Sequence, residues 1–418
     1  MVSGSKEKLF KQPEGSYQTM MVLSPFKAWP VGVCLTVLFL YLPSAELAWA
    51  QSSASIASGD ETLGSRVEKL IASGNRWLVG AQQPGGWWST QDHPAVTAFA
   101  LMALKGDPSK TYDDPQDPVM GQGYAFLDRH IQPDGGIYHI GLVTYNTAIC
   151  MMALSVSGQD HHEDPIRKAR QYLIGLQSDF GQSGVLDHPM DGGIGYGSSY
   201  DHSDMGNTLQ ALEALYHTQQ VGESADGISQ GRSLDYAAAI RFLQHCQNLS
   251  THNPQDWVSD DPAQKGGFVY YPGSSKAGEF RDPKTGRVAL RSYGSISYGG
   301  MLAYAYAKLD KTAPQVQAVL QWLQANYTLE ENPAMGLQGL FYYYHTLAKA
   351  LILYEMDRLA LADGRMIDWR SELVDKLSDL QLEDGSWLND NGRWWERDPA
   401  LVTSYVVLTL ERIHHSLK

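Results

Sequence analysis

The chain of 418 residues carries 46 acidic and 32 basic side chains, which gives a formal net charge of −14 at neutral pH. This excess of negative charge argues against a nucleic-acid-binding surface and for ordinary solubility. Aromatic residues are plentiful, with 11 Trp, 23 Tyr and 10 Phe, and in a helical protein so many rings must stack within repeats or line a cavity.

Residues 1–50 are typical of a secretory signal peptide and the region before it. An apolar run from Val31 to Leu42 follows Lys27 and precedes Ala48-Trp49-Ala50, a small-x-small cleavage site. The run is too short to span a membrane comfortably. We therefore expect export to the periplasm or the medium after cleavage near Ala50. The mature chain is expected to have no integral membrane segment, and residues 51–65 are expected to form a flexible leader.

From residue 66 onward, the sequence repeats one unit six times. Each unit has an amphipathic stretch that ends in Gln, a turn that contains Gly, and a second stretch rich in Ala, Leu and Thr. The residues that end the first stretch are Gln82, Gln132, Gln177, Gln247 and Gln381, with Tyr327 in the fifth unit. A hairpin of two helices cannot bury both of its apolar faces alone, whereas stacked hairpins can. The repeats predict an all-α fold, an α/α toroid of six hairpins forming a double-layered barrel of twelve helices, as a single domain over residues 66–418.

The first helix of each hairpin is expected in the outer layer and the second, more apolar helix in the inner layer. The outer helices are predicted at 67–82, 121–132, 166–177, 234–247, 314–326 and 369–381, and the inner helices at 94–104, 143–154, 205–217, 295–309, 342–356 and 399–413. All inner helices then begin at one rim, where the long insertions of the third and fourth hairpins also lie. Helix N-termini carry positive partial charge and free N–H groups, so a central pocket opening at this rim is the expected site.

Three of the repeats carry a recognisable pattern. They are Trp77-Leu78-x3-Gln82-x2-Gly85-x-Trp87, Lys168-Ala169-x2-Tyr172-Leu173-x3-Gln177 and Leu377-x3-Gln381-x3-Gly385-x-Trp387. They are similar to the repeat called the QW motif, and on them the chain resembles the superfamily of terpenoid cyclases and protein prenyltransferases. The resemblance implies an α/α toroid that holds a bulky apolar, isoprenoid-like ligand in an aromatic central pocket.

The resemblance also points to two candidate catalytic residues. The segment Asp204-Met205-Gly206-Asn207-Thr208 is similar to the D-x-D-D-T-A acid motif of squalene–hopene-type cyclases, with Gly206 and Asn207 where acids are expected. Asp204 is the first candidate acid, and N-capping of the third inner helix is its structural alternative. His345, which matches the Y-H-T pattern of protein prenyltransferase β subunits, is the second, and a structural hydrogen bond to the backbone is its alternative.

Further residues are candidate ligand contacts. Arg287 matches a diphosphate-binding arginine in the prenyltransferase pattern G-R-x5-D-G-C. The other expected contacts are Tyr293, Tyr298, Tyr342, Tyr343, Tyr344, Asp201, Asn207, Trp394 and Trp395. Ring faces stabilise a polyene or a carbocation, but the same rings also stack on sugars or simply fill a core. Of the zinc ligands in the matched pattern only His345 is present, so we expect no metal and no other cofactor.

Three functions stay open at this point. The first is an exported toroid that binds an isoprenoid-like ligand and catalyses acid-initiated cyclisation or isomerisation. The second is a non-catalytic binding or scaffold protein. The third is a polysaccharide lyase or glycoside hydrolase, which needs two facing carboxylates, with Asp201, Asp204 and Asp398 as candidates. In each case we expect a monomer that binds no nucleic acid, and for the first function the partner is a hydrophobic small molecule.

Overall fold

The computed structural model describes residues 61–114, 116–197, 200, 202–222 and 231–418. The predicted signal peptide and residues 51–60 of the predicted leader lie outside the described residues, and so does Asp201. The first helix begins at Leu63, within the range predicted for the leader.

The described residues form helices joined by loops, with two small sheets. The helices are α1 Leu63–Ala81, α2 Pro94–Lys105, α3 Pro118–Asp128, α4 Val143–Ser155, α5 Glu163–Gly175, α6 Met205–His217, α7 Gln219–Gly222, α8 Tyr236–His245, α9 Gly294–Tyr306, α10 Pro314–Ala325, α11 Leu340–Leu353, α12 Trp369–Asp379 and α13 Pro399–Ser416. Short 3₁₀ helices occur at Asp160–His162 and Arg393–Trp395. The strands pair antiparallel, β1 Glu279–Arg281 with β2 Val288–Leu290 and β3 Leu359–Ala360 with β4 Met366–Ile367.

Six helices close into an inner ring. Helix α2 packs on α4, α4 on α6, α6 on α9, α9 on α11, α11 on α13, and α13 returns to α2. The outer layer packs on this ring, with α3 on α2, α5 on α4, α10 on α9 and α1 on α13. The predicted α/α toroid is confirmed, and its ring is closed rather than an open superhelix.

Burial follows the two layers. The inner helix α4 is buried along almost its whole length, whereas the outer helix α5 buries only Ile166, Ala169, Leu173 and Ile174. A helix that is apolar on all sides must be surrounded by protein, and a helix with one apolar stripe lies at a surface. None of the described helices is long and apolar enough to cross a membrane.

Three of the repeated glutamines, Gln82, Gln177 and Gln247, link one hairpin to the next. Gln247 Nε2 donates to the carbonyl of Gly266 in its own turn, at 2.8 Å, and to the carbonyl of Gln315 in the next outer helix, at 2.9 Å. Gln82 makes the corresponding link to the carbonyl of Val119 at 2.8 Å. One amide thus satisfies carbonyls in two hairpins, which explains why this residue type recurs at the end of the outer helices.

The motif tryptophan of the first hairpin is Trp88, and the predicted assignment to Trp87 is wrong. Trp88 Nε1 donates to the carbonyl of Leu78 at 2.7 Å, and Trp387 makes the equivalent bond in the last hairpin. The reason lies in the turn, where Gly86 takes the left-handed conformation with a φ of 91°. This shifts the pattern by one residue relative to the predicted spacing.

Candidate functional site

The beginnings of the six inner helices surround one cavity with a volume of about 360 Å³. Each helix contributes to its wall, through Val96 of α2, Tyr145 of α4, Asn207 of α6, Ile296 of α9, Tyr342 of α11 and Leu401 of α13. A central pocket at the rim where the inner helices begin is therefore present. Its volume lies at the lower end of the range for sites that enclose small organic ligands.

The cavity wall is mainly aromatic. The rings that line it belong to Tyr145, Tyr196, Tyr270, Tyr293, Tyr342, Tyr405, Trp394 and Trp395. The hydroxyls of Tyr145 and Tyr405 bond to each other at 3.0 Å. Burial raises the pKa of Tyr145 to about 12, so this phenol is neutral at physiological pH. Neutral phenol and indole faces carry negative potential, which favours cations and polarisable apolar groups.

The insertions of the third and fourth hairpins cover the cavity and meet above α6. The hydroxyls of Tyr196 and Tyr270, one from each insertion, bond at 2.8 Å. The rings of His202 and Tyr271 stack with centroids 4.5 Å apart. The carbonyl of Tyr270 also accepts the N–H of Met205 at 2.9 Å. The two insertions are thus attached to each other and to the start of an inner helix.

Asp204 lies at the N-terminus of α6, is buried completely and lines the cavity. Its Oδ1 accepts the backbone N–H of Asn207 at 2.9 Å, and its Oδ2 accepts the side-chain amide of Asn207 at 2.7 Å. Burial raises the pKa of Asp204, while the bonds from Asn207 and one from Tyr270 act in the opposite direction. The carboxyl caps the helix, as its structural alternative predicts, and it also faces the cavity. Helix capping and contact with the cavity are compatible, because only Oδ1 binds the backbone N–H that caps α6.

Two cations lie against aromatic walls of the cavity. Lys276 Nζ is 4.2 Å from the ring centre of Tyr270, and the guanidinium carbon of Arg393 is 4.8 Å from that of Trp394. Burial lowers the pKa of Lys276, and the charge of Arg393 adds to this effect while Asp204 opposes it. The rim that carries the buried acid therefore also carries positive charge.

Glu396 is a cavity residue that sequence reasoning missed. It is buried, and its carboxylate accepts the backbone N–H groups of Tyr342 at 2.8 Å and Phe341 at 3.3 Å and the side-chain amide of Asn389 at 2.6 Å. It thereby caps α11, whose own N-cap position holds Gly339. Gly339 is the feature of the sequence that could have indicated this role. A buried helix start without a capping side chain needs a hydrogen-bond acceptor from another part of the chain.

Trp394 and Trp395 occupy an unusual backbone conformation at the cavity mouth. Their φ angles are 55° and 66°, a region that large side chains rarely adopt. Trp395 packs on His93 with ring centroids 4.5 Å apart. Gly339 lies under the other indole, and a Cβ there would be 2.7 Å from a Trp394 ring carbon. The strained backbone at Trp394 and Trp395 thus places both indoles at the cavity.

His345 does not line the main cavity, contrary to expectation. It lies in a smaller cavity of about 30 Å³ that adjoins the first one through Tyr342 and Tyr405. Its Nδ1 is 3.2 Å from the hydroxyl of Thr409, which resembles the structural alternative. Burial lowers its pKa far below the usual range, and the charges of Lys349 and Arg412 contribute. An imidazole that stays neutral is a poor proton donor, so the structure does not support His345 as the acid.

The structure brings some of the other predicted residues to the cavity and leaves others away from it. Asp204, Asn207, Tyr293, Tyr342, Trp394 and Trp395 line it. Tyr298, Tyr343 and Tyr344 instead pack within the protein, and the hydroxyls of the last two bind backbone carbonyls of Thr328 and Leu329. In an aromatic run on a helix, only one side can face the cavity, and here that residue is Tyr342.

Two predicted polar contacts are also displaced. Arg287 lies beside β2 in the fourth insertion with its side chain 53% exposed, and its guanidinium is 3.7 Å from the carboxylate of Asp256. It does not line the cavity, because the strand pair carries it outward. Asp398 caps α13 by accepting the N–H of Ala400 at 2.9 Å and does not line the cavity either. Asp201 lies outside the described residues.

The closed ring of six hairpins and its apolar central cavity define a terpenoid cyclase-like α/α toroid. No family profile matches the chain. A probable squalene–hopene cyclase of Sinorhizobium fredii (strain NBRC 101917 / NGR234) is 24% identical over 205 residues, which are 44% of this chain and 30% of the relative. The matched region thus spans less than a third of that relative. The resemblance to the terpenoid cyclase superfamily that the repeats indicate is confirmed in sequence and in fold.

Solved structures agree on the fold. A variant of the type II terpene cyclase MstE from Scytonema, in complex with geranylgeranyl dihydroxybenzoate as substrate, is similar with a TM-score of 0.50 and 12% identity over 85% of this chain and 99% of that chain. A family 76 glycoside hydrolase from a bovine Bacteroides thetaiotaomicron strain also gives a TM-score of 0.50, with 11% identity over 82% of this chain and 77% of that chain. At these sequence identities the two structures show a shared fold, and the comparison does not distinguish between a cyclase and a hydrolase activity.

Proposed function

We propose that this protein holds a bulky apolar, isoprenoid-like molecule in the central cavity and that Asp204 starts its cyclisation or isomerisation by protonation. The observation that carries the proposal is the position of Asp204, a completely buried carboxyl in the wall of an aromatic cavity. Burial raises its pKa, which increases the fraction of the protonated form that can donate.

The walls suit the ligand that this reaction needs. An alkene has no hydrogen-bonding groups to satisfy, and a wall of neutral rings with few polar atoms binds it by burial of apolar surface. Protonation of the alkene produces a carbocation, and the side chains of Tyr293, Tyr342 and Trp395 line the space in which it forms. Ring faces stabilise positive charge without reacting as strong nucleophiles.

The proton can be followed from donor to acceptor. The π electrons of the alkene take the proton from the carboxyl of Asp204, which becomes a carboxylate, and a second alkene attacks the resulting cation and closes a ring. The new cation then loses a proton to water, which gives a neutral cyclic alkene. The two donors of Asn207 then stabilise the carboxylate. Tyr270, which bonds to Asp204 and to Tyr196, connects the acid to the covering insertions and offers a route for reprotonation.

One observation favours a second candidate function, because two carboxyls rather than one line the cavity. Asp204 and Glu396 are the two carboxyls that glycoside cleavage would use. Glu396, however, accepts two backbone N–H groups at the start of α11 and the side-chain amide of Asn389, so it serves as the cap of that helix, whereas the side chain of Asp204 accepts a single backbone N–H. A non-catalytic binding toroid is the third reading, and it differs from the first only in lacking turnover.

The first experiment identifies the ligand. We would purify the full chain from its own cell envelope and examine it by native mass spectrometry and by extraction with organic solvent. The variant Gly206→Phe places a ring in the cavity, since Gly206 lines it. The control Gly80→Phe adds the same ring at an exposed helical position with no atom within 4 Å of the new Cβ.

The expected result is a co-purifying polyprenyl compound that Gly206→Phe excludes and Gly80→Phe retains. A bound glycan would favour the second candidate instead. Incubation of the identified compound in D₂O then tests the chemistry, because acid-initiated cyclisation places one solvent deuterium in the product. A compound that binds but is recovered unchanged would favour the third candidate function, a non-catalytic binding protein.

Export after cleavage near Ala50 also remains a proposal. It rests on the apolar run and cleavage site in the sequence. Fractionation of the native host, with N-terminal sequencing of the mature protein, tests it, and a mature N-terminus upstream of the apolar run would contradict it.

A further inference from the structure

A histidine-rich cluster lies at the end of α3, outside the central cavity. It consists of Asp128, the last residue of α3, and of His161 and His162 in the 3₁₀ helix before α5. One ligand atom from each of the three residues lies within 4.8 Å of the other two. None of the three lines the central cavity. We propose that Asp128, His161 and His162 bind a divalent transition-metal ion of the Zn²⁺ type.

The distances within the cluster fit metal coordination as well as they fit the hydrogen bond between His162 and Asp128. His162 Nε2 is 3.1 Å from one carboxylate oxygen of Asp128, and His161 Nε2 is 3.7 Å from the other oxygen. Ligand atoms bound to Zn²⁺ at about 2.0–2.1 Å in a tetrahedron lie about 3.3 Å apart. The two observed distances bracket this value. A single carboxylate thus faces two imidazole nitrogens at once, and the three ligand atoms all lie within 4.8 Å of one another.

The buried histidine is already oriented for this role. The side chain of His162 is 1% exposed, and its Nδ1 is 2.6 Å from the hydroxyl of Ser157. Ser157 is also buried and accepts the N–H of Gln159 at 3.2 Å. A partner on the second ring nitrogen holds the imidazole with Nε2 toward Asp128, which is how histidine ligands are oriented around metals.

The other two ligands leave the site accessible. The side chain of His161 is 59% exposed and that of Asp128 is 36% exposed, so an ion can enter from solvent and water can complete its coordination. Two imidazoles and one carboxylate select Zn²⁺ and its transition-metal neighbours over Mg²⁺ and Ca²⁺, which prefer oxygen ligands. Because the ligands come from α3 and from the segment between α4 and α5, the bound ion would join neighbouring hairpins.

The experiment titrates untagged, chelator-treated full-length protein with ZnCl₂ at pH 7.5 and records binding by calorimetry and the melting temperature. Asp128→Asn keeps a hydrogen-bonding partner for His162 but is a poor metal ligand, and His161→Ala removes the most exposed ligand. The control His415→Ala removes an exposed histidine on α13 that is not part of the cluster. MgCl₂ serves as the hard-cation comparison.

The expected result is one Zn²⁺ per chain, a melting temperature that rises with ZnCl₂ and not with MgCl₂, and affinity about tenfold or more lower in Asp128→Asn and in His161→Ala. The metal-free variants should melt within a few degrees of the wild type, which shows that they fold. No saturable binding, or equal affinity in wild type and both cluster variants, would overturn the proposal. An equal loss of Zn²⁺ affinity in His415→Ala would also overturn the proposal, because it would indicate that surface histidines in general bind the ion.

Discussion

Asn207 donates two hydrogen bonds to Asp204, from its backbone N–H to Oδ1 at 2.9 Å and from its side-chain amide to Oδ2 at 2.7 Å. In the acid motif that this segment resembles, an acid stands where this chain has Asn207. The amide supplies a donor instead of a second carboxyl, and it lowers the pKa of Asp204 against the upward effect of burial. The acid strength of Asp204 therefore depends on the balance between burial, which raises its pKa, and the hydrogen bonds of Asn207 and Tyr270, which lower it.

Removal of the amide should shift the pH dependence of turnover. In Asn207→Leu the pKa of Asp204 rises, so the carboxyl stays protonated to higher pH. Turnover needs protonated Asp204 and therefore falls as the pH rises through the pKa of this carboxyl. In Asn207→Leu this fall in turnover should occur at higher pH than in the wild type. The control Gln210→Leu changes another polar cavity residue of α6 that is not hydrogen-bonded to Asp204. A pH–rate profile that is the same in Asn207→Leu and wild type would argue against Asp204 as the acid.

Gly339 should be needed for the position of Trp394. Its φ is 64°, and an added Cβ would lie 2.7 Å from the indole. Gly336 has a φ of 59° with no atom within 4 Å of an added Cβ, so Gly336→Ala isolates the backbone effect, about 1 kcal/mol. Gly339→Ala should lose more stability than this and should also change the tryptophan fluorescence and weaken ligand binding. Equal effects of the two substitutions would show that the indole moves away without consequence.

The link between hairpins at Gln247 should contribute strongly to stability. Its amide is completely buried, donates to two backbone carbonyls and accepts the hydroxyl of Tyr304 at 2.9 Å. Gln247→Leu leaves these groups buried without partners, which costs about 2 kcal/mol or more. Gln381 is only partly buried and binds the carbonyl of Gly385 at 3.0 Å, so Gln381→Leu should cost less. Urea unfolding of both variants measures the difference, and the reverse order would contradict this explanation.

Glu411 should make the protein less stable as the pH rises. Burial raises the pKa of this carboxyl well above its usual range, and the nearby charge of Asp107 adds to the effect. Above the unfolded-state value of about 4.3 the unfolded chain ionises first, so folding becomes less favourable with increasing pH. Glu411→Gln removes this dependence. The melting temperature of Glu411→Gln should equal that of the wild type near pH 4 and should exceed it by a growing margin toward pH 8. A difference that stays constant with pH would be evidence against a raised pKa of Glu411.

Much of the architecture could be predicted because the signals repeat. A glutamine at the end of an outer helix and an apolar second helix recur through the chain, and the predicted helix 205–217 matches α6 residue for residue. Repetition does not determine register, however. Whether Gly85 or Gly86 takes the left-handed conformation depends on contacts of the turn, and the sequence-based assignment of Trp87 was therefore one residue off.

The site was predictable only where a residue begins an inner helix. Asp204, Tyr293 and Tyr342 stand at such positions and line the cavity. Arg287 was expected there from a local pattern, but a strand pair carries it to the surface. Glu396 was missed because its role comes from α11, which lies far from it in sequence and lacks a capping side chain of its own.

The substitution Asp204→Asn tests the central claim most directly. Asparagine caps a helix about as well as aspartate, so the variant should fold and bind the identified ligand like the wild type, but its amide has no acidic proton to transfer to an alkene. We predict that the ligand extracted from the variant is unchanged and carries no solvent deuterium, whereas His345→Ala still yields product. Cyclised, deuterium-labelled product from Asp204→Asn at the wild-type rate would contradict the account.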